Sequence, residues 1–291
     1  MLVIPFDQRD GFIWMNGDFL PWQEARTHVL SHGLHYASSV FEGTRAYGGK
    51  IFKLNAHTER LFASAKMLDM QIPYTVEQLN AVQKDALIRS NYQDAYIRPV
   101  AWRGSEMMAI SAQNTKTHVA VAVWEWPSYF PPEKRMAGLK LAMAHYRRPS
   151  PESAPVHAKA AGLYMICTLS KHKVEREGWD DALMLDYRGR IAESTGANVF
   201  FVKDGELHTP VPYCFLNGIT RQTVIELAKE RNICVHERTI LPDELGSFSE
   251  VFLVGTAIEV TPVSQIDAHR YQPGRLCEDL MRAYDHLVHG R

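Results

Sequence analysis

The chain has 291 residues, 46% hydrophobic and 22% charged, enough apolar material for a sizeable core and the size at which one core divides into two. Its 32 Lys+Arg against 33 Asp+Glu leave a net charge of −1, so no general electrostatic drive toward nucleic acid or an acidic membrane exists. Asp7, Arg9 and Asp10 interrupt any leader-like apolar start, no later stretch has the roughly 18 apolar residues of a membrane span, and Cys167, Cys214, Cys234 and Cys277 form no CxxC pair, so a cytoplasmic protein is expected.

Val40 to Leu54 alternates apolar and polar residues around Gly48-Gly49, which predicts a hairpin with a primed turn. Asn55 is placed to cap a helix reaching about Met70, and a second helix is expected over Val76 to Ser90. Ala95 to Trp102 and His118 to Trp126, rich in β-branched and aromatic residues, predict strands. Pro127, Pro131 and Pro132, followed by Pro149, Pro151 and Pro155, disfavour continuing helix or strand. The expected organisation is a small N-terminal α+β domain over 1–126, an interdomain loop over 127–136 and a larger C-terminal domain over 137–291.

Beyond that boundary the pattern predicts a strand over Leu139 to His145, a helix from about Gly162 to Glu177, and strands Ala182 to Asp186 and Arg190 to Glu193 around Gly189. A hairpin turn follows at Asp204-Gly205, then a helix from Thr220 to about Glu230, strands Cys234 to Arg238 and Val251 to Val254, and a last helix from near Gly274. Short turns joining several strands favour a mixed or largely antiparallel sheet over a doubly wound one, within an α+β fold.

GxGxxG, GxxxxGK[ST], GxSxG and HExxH are all absent from the chain. His32 and His35, and again His286 and His289, stand three apart, a spacing open to metal binding. No acid sits beside either pair in a familiar ligand spacing, so no metal site is expected there.

Lys159 lies among small residues in AKAAG, which leaves room for a bulky group on its nitrogen; a solvated surface lysine is the plainer reading. Gly218-Ile219-Thr220 ahead of a helix offers backbone amides and a hydroxyl to an anion, and Gly255-Thr256-Ala257 offers the same chemistry in a turn. A plain helix cap would read identically. Glu193, at a strand end beside a glycine turn, could bond the turn amides or hold a protonated ring nitrogen.

Together these pieces resemble the class IV, fold type IV aminotransferases that use pyridoxal 5′-phosphate, and within them the branched-chain amino acid aminotransferase family. The resemblance runs through LHYASSVFEGTRAY, HTERL, AYIRP, AKAAGLYM, AESTGAN, FLNGITR and VGTAIEVTPV, seven blocks in the family's order. It implies a two-domain fold with the cofactor between the domains, and transamination of L-leucine, L-isoleucine and L-valine with 2-oxoglutarate. Lys159 matches the Schiff-base lysine, Tyr164 the partner of the phenolic oxygen, and Glu193 the partner of the pyridine nitrogen. Arg60, Leu216, Ile219, Thr220 and Thr256 match the remaining cofactor contacts, mostly to phosphate.

For substrate, the resemblance implies aromatic walls from Phe41, Trp126, Tyr129 and Tyr164, with Met108 and Ile110 contributed by a neighbouring subunit of at least a homodimer. Tyr36, Arg45, Tyr96 and Arg98 match carboxylate-recognition positions, and Thr256 and Ala257 supply amides to the α-carboxylate. Two departures stand out: Ala109 replaces a frequent glycine, and Thr44 a larger or charged residue, both able to reshape the pocket. A D-amino acid aminotransferase or aminodeoxychorismate lyase shares the cofactor residues, but AYIRP with FEGTR matches the branched-chain group better. A metal-dependent hydrolase or binding protein built on the histidine pairs would leave the seven ordered blocks without reason.

Overall fold

The computed structural model describes residues 4–126 and 136–290. Its first hairpin, β1 (Phe12–Met15) and β2 (Asp18–Pro21), is absent from the expectations above because four-residue strands carry little alternation. Asn16-Gly17 between them, both at positive φ, is the local feature that signals it. A short helix α1 (His32–Tyr36) follows.

The alternating stretch around residues 40–54 makes three strands, β3 (Ser39–Phe41), β4 (Thr44–Tyr47) and β5 (Lys50–Ile51). β4 and β5 form the expected hairpin, and Gly48 and Gly49, at φ +53° and +76°, supply the left-handed pair of a primed turn. Helix α2 (Leu54–Met67) begins before Asn55, so Asn55 does not cap it; Lys53 occupies the cap at φ +46°. Asn55 instead donates to Glu59 Oε1 at 2.8 Å and accepts from Asn80 of α3 (Val76–Ser90) at 3.1 Å, a bond between helices. Helix α3 has the expected bounds because Thr75 and Gln78 form a reciprocal capping box.

The long pair β6 (Ala95–Arg103) and β7 (Thr117–Glu125) runs in continuous antiparallel register from Ala95↔Glu125 to Arg103↔Thr117. The seven-stranded sheet has the order β2-β1-β7-β6-β4-β5, with β3 also on β6, and every pairing is antiparallel. Val40, Leu61, Leu79, Ala95, Ile97, Val119 and Val121 are buried here. Sequence order and packing part company at one place. Ala158–Gly162 belongs to this first compact unit, and Ala160 makes an antiparallel bridge to Val40.

The second unit is built on β8 (Leu139–Met143), α4 (Met165–Arg176), β9 (Asp181–Leu185), β10 (Ile191–Ser194), β11 (Asn198–Lys203), β12 (Glu206–Pro210), α5 (Ile219–Glu230), β13 (Val235–Arg238), β14 (Glu250–Gly255), β15 (Glu259–Ile266), β16 (His269–Arg270) and α6 (Arg275–His289). Its sheet is mixed, as the short turns predict: β8–β9, β8–β15 and β12–β13 are parallel and the other pairings antiparallel. The order is β10-β9-β8-β15-β14-β11-β12-β13, and β10 also pairs with β11, closing six strands into a ring at Glu193↔Asn198. Strand β15 escapes the sequence pattern because Pro262 argues against a strand with neighbours on both sides. The structure accommodates it because the β8 ladder begins one residue later, at Val263. Strand β11 is buried on both faces, and Phe200 stacks on Phe252 with ring centroids 5.2 Å apart.

Candidate functional site

Lys159 is positioned by its main chain. Its N–H donates to the buried Ser64 hydroxyl of α2 at 2.9 Å, and its carbonyl accepts from Phe41 N–H at 3.1 Å. Ala158 and Ala160 on either side are buried, while Lys159 is half-buried with Nζ 5.0 Å from the centre of the Phe41 ring. An extended segment alternates its side chains, so this backbone grip determines where the amine points. The plainer reading of a solvated lysine does not describe such a residue.

Beside it lies a charge cluster. Glu42 is fully buried and accepts from His57 Nδ1 at 2.8 Å, Arg60 Nε at 2.6 Å and Arg60 Nη2 at 2.9 Å. Burial alone would raise the Glu42 carboxyl, but the Arg60 and His57 contacts outweigh it and hold the group far below the usual carboxylate range. Burial pushes His57 below its ordinary value despite Glu42, so it is a neutral imidazole whose Nδ1–H faces the carboxylate. Arg60 is therefore held by a two-pronged ion pair, the strong geometry for a guanidinium.

A third group in this unit is aromatic and cationic. Arg98 lies over Phe41 and Tyr96, with its carbon 4.8 and 5.2 Å from their ring centres, and its Nη2 is 3.5 Å from the Tyr96 hydroxyl. Among the described residues, Arg98 Nε is buried without a hydrogen-bond partner. Tyr96 stacks on Trp124 and tilts against Trp126, and its hydroxyl fits only because residue 43 is glycine: a Cβ there would overlap it. Arg45 is buried and donates to the Trp126 carbonyl at 3.2 Å. Tyr36, Met108 and Ile110 are exposed, Ile110 by 83%. Tyr129 lies outside the described residues.

In the second unit, Glu193 stands where β10 closes on β11. Asn198 donates to Glu193 Oε2 at 3.2 Å and to the Leu216 carbonyl at 3.0 Å, and its Oδ1 accepts from Gly218 N–H at 3.1 Å. One amide thus ties a carboxylate to the loop that opens α5, and a Cβ at Gly218 would collide with it. No side chain caps α5, whose first residues Ile219 and Thr220 are buried. Arg148 Nε lies 3.4 Å from Glu193 Oε1, an ion pair that falls short of hydrogen-bond geometry. Burial works against the Arg148 charge, but Glu193, with smaller help from Cys167 and Tyr164, raises its pKa above the usual arginine value. Tyr164 ends the turn before α4.

The Gly255 turn comes close to the loop after Glu193, since a Cβ on Gly255 would meet Ala197 Cβ at 3.4 Å. Thr256 and Ala257 are half-buried in the tight β14–β15 connection. Among the described residues the histidine pairs form no metal-binding cluster. His32 bonds the Ser38 hydroxyl and the Ala109 carbonyl, His35 the Val29 carbonyl and His289 the Asp285 carbonyl.

Glu42, His57, Ser64, Arg148 and Asn198 are the residues that sequence reasoning missed. His57 and Arg60 stand one helical turn apart, and Glu42 and Asn198 fall within motif blocks already singled out, so a local signal existed for three of the five. Ser64 and Arg148 carry none.

A family model described as amino-transferase class IV matches residues 39–266. The branched-chain-amino-acid aminotransferase of Pseudomonas aeruginosa is 41% identical over 97% of this chain and 94% of its own length, and that of Escherichia coli K12 is 36% identical over 91% and 87%. Among solved structures, a T.th. branched-chain amino acid aminotransferase with pyridoxamine 5′-phosphate superposes with a TM-score of 0.94 at 40% identity, covering 97% of this chain and 95% of that one. The same enzyme is also solved with N-(5′-phosphopyridoxyl)-L-glutamate and with 4-methylvaleric acid. The chain belongs to the class IV aminotransferases. It is an aminotransferase with that family's fold.

Proposed function

We propose that this chain transfers the amino group of L-leucine, L-isoleucine and L-valine to 2-oxoglutarate, giving branched-chain 2-oxo acids and L-glutamate, with pyridoxal 5′-phosphate as cofactor. The observation that carries the reading is the backbone grip on Lys159 between Ser64 and Phe41, in a chain whose relatives bear the branched-chain name. Each unit holds groups of the kind the cofactor needs: in the first an amine flanked by alanines, and in the second a buried carboxylate braced by an amide and a helix start without a side-chain cap for a phosphate.

When bound, the cofactor supplies an aldehyde carbon that takes up the amino group and a ring that accepts the electron pair left at substrate Cα. Lys159 would hold the cofactor through its amine, and the same amine would carry the proton to and from substrate Cα. Glu193, kept in place by Asn198 and Arg148, would keep the ring nitrogen protonated. Tyr164 would donate to the phenolic oxygen. Arg60 would bring positive charge to the phosphate, the Leu216 segment would line it, and the Ile219 and Thr220 amides and Thr256 hydroxyl would complete its contacts.

Phe41, Trp126 and Tyr164 provide apolar walls for a branched side chain, while Tyr36, Arg45, Tyr96 and Arg98 take a side-chain carboxylate. The buried Arg98 Nε, which has no hydrogen-bond partner among the described residues, supports this, because an anion would satisfy it. The α-carboxylate meets the Thr256 and Ala257 amides. Exposure of Ile110 and Met108 supports their burial by a second copy in a homodimer. Among the described residues no helix is long and apolar enough to cross a membrane, and the four free cysteines support a reducing cytoplasm.

The test is the visible spectrum of the purified protein before and after L-leucine without a 2-oxo acid. A yellow protein that bleaches establishes cofactor, reaction and substrate class together. Bleaching by a D-amino acid and not by L-leucine overturns the substrate, and a protein that stays colourless with added pyridoxal phosphate overturns the cofactor.

A further inference from the structure

Strands β12 and β13 run parallel, with Leu207 opposite Val235 and His208 opposite His236. Side chains alternate along a strand, so Glu206 and His208 share a face with Cys234 and His236, while Leu207 points into the core with no exposure. The consequence is a cluster of three different ligand types at the surface. His236 Nε2 lies 2.7 Å from Glu206 Oε2 and 3.4 Å from Cys234 Sγ, and the three ligand atoms lie within 4.8 Å of one another.

We propose that Glu206, Cys234 and His236 form a zinc site that staples edge strand β13 to β12. Sulfur, imidazole nitrogen and carboxylate oxygen are the donors zinc prefers, and a tetrahedral ion about 2.0 Å from nitrogen and about 2.3 Å from sulfur holds its ligand atoms roughly 3.5 Å apart. The Cys234–His236 spacing already fits. The Glu206 oxygen, now hydrogen-bonded to the same nitrogen, has to open from it by less than about 1 Å and to stand roughly 3.5 Å from Cys234 Sγ, from which it is already within 4.8 Å, an adjustment within reach of a half-buried side chain. Three protein ligands leave the fourth position to water.

The surroundings favour the ion. His208 stacks on His236 with ring centroids 4.8 Å apart and planes 18° off parallel, which limits rotation of the ligand ring. Arg238 donates to His208 Nδ1 at 3.1 Å, and its charge is matched by Glu244 at 2.8 Å, so the nearby cation is already neutralised. Cys234 is the exposed thiol of the four; Cys167, Cys214 and Cys277 are buried. Ligation exchanges the Cys234 S–H bond for a sulfur–zinc bond and releases one proton. His236, whose Nε2–H now donates to Glu206, changes tautomer on binding: the proton moves to Nδ1 and the Nε2 lone pair takes the zinc.

The test uses the cofactor-loaded full chain, freed of metals by chelation and titrated with zinc against a chromophoric zinc indicator. The native chain is expected to bind one zinc that Cys234→Ser and His236→Ala bind roughly tenfold more weakly or worse. Zinc is also expected to slow alkylation of Cys234 by iodoacetamide in the native chain and not in His236→Ala. Both changes are at the surface, away from the groups assigned to transamination, so each variant should keep its turnover as proof of folding. No competition with the indicator, equal affinity in all three proteins, or alkylation indifferent to zinc would each overturn the proposal.

Discussion

Glu42 and Glu193 are both buried carboxylates facing an arginine, yet they are built for different ends. Glu42 is sealed, with its oxygens taken by the Arg60 fork and His57. Glu193 keeps 9% exposure, has Arg148 Nε at 3.4 Å, and accepts a longer bond, 3.2 Å, from the neutral Asn198 amide. A carboxylate saturated by short charged bonds stabilises the fold and pins a neighbour. Under the proposed function it is Glu193 that meets a ligand.

The sharpest way to break this division between structure and chemistry is Lys159→Ala. It should lower kcat by at least about a thousandfold while leaving the melting temperature close to native, and turnover within tenfold of native would refute the assignment. Next, Glu42→Gln and Glu193→Gln should differ in catalysis more than in stability. Each leaves an arginine poorly paired, the half-buried Arg60 in the first and the more deeply buried Arg148 in the second, and each should cost about 3 kcal/mol of stability. The second should in addition lose about a hundredfold in kcat, while the first keeps its turnover per folded, cofactor-saturated molecule within about tenfold. Equal losses of kcat in the two variants would erase the distinction.

Acidification probes the sealed side through His57 and Glu42. His57 is pushed down by burial, so it carries no penalty above about pH 6.5 and a growing one as the pH falls and the unfolded chain takes the proton more readily. Glu42 is held low, so its contribution is complete above about pH 4.3 and drains away below that. Melting temperatures followed downward from neutral pH should show both losses. Glu42→Gln should flatten the acid branch, and an unchanged branch would argue against the ion pair.

A smaller effect is expected from Arg98→Ala, which should reduce kcat/KM for glutamate and 2-oxoglutarate roughly tenfold more than for leucine. Equal losses would remove Arg98 from side-chain carboxylate recognition. Smallest is Thr75→Ala, which removes the capping box of α3 and should cost about 1 kcal/mol with no change in kcat. It calibrates the Glu42 variant against an exposed structural contact in the same unit.

The bounds of α3 and the glycine turn at 48–49 were legible because each rests on contacts within a few residues. Short-range chemistry shows in short-range sequence. Strand β15 was hidden by Pro262, whose tolerance depends on where the β8 ladder begins. Asn55 looked like a cap, but its side chain bonds Glu59 and Asn80 instead.

The same line divides the site. The sequence by itself determined the candidate groups: an amine among alanines at Lys159, a carboxylate at a strand end, and glycines opening α5 and the Thr256 turn, all encoded in contiguous blocks. Only the tertiary structure decided their partners: Ser64 and Phe41 for Lys159, Glu42 for Arg60, and Arg148 and Asn198 for Glu193. Residue type sets what a group can do chemically, but a buried charge is governed by whatever the fold packs against it. Ser64 reaches Lys159 across 95 positions of chain, a span no local pattern encodes.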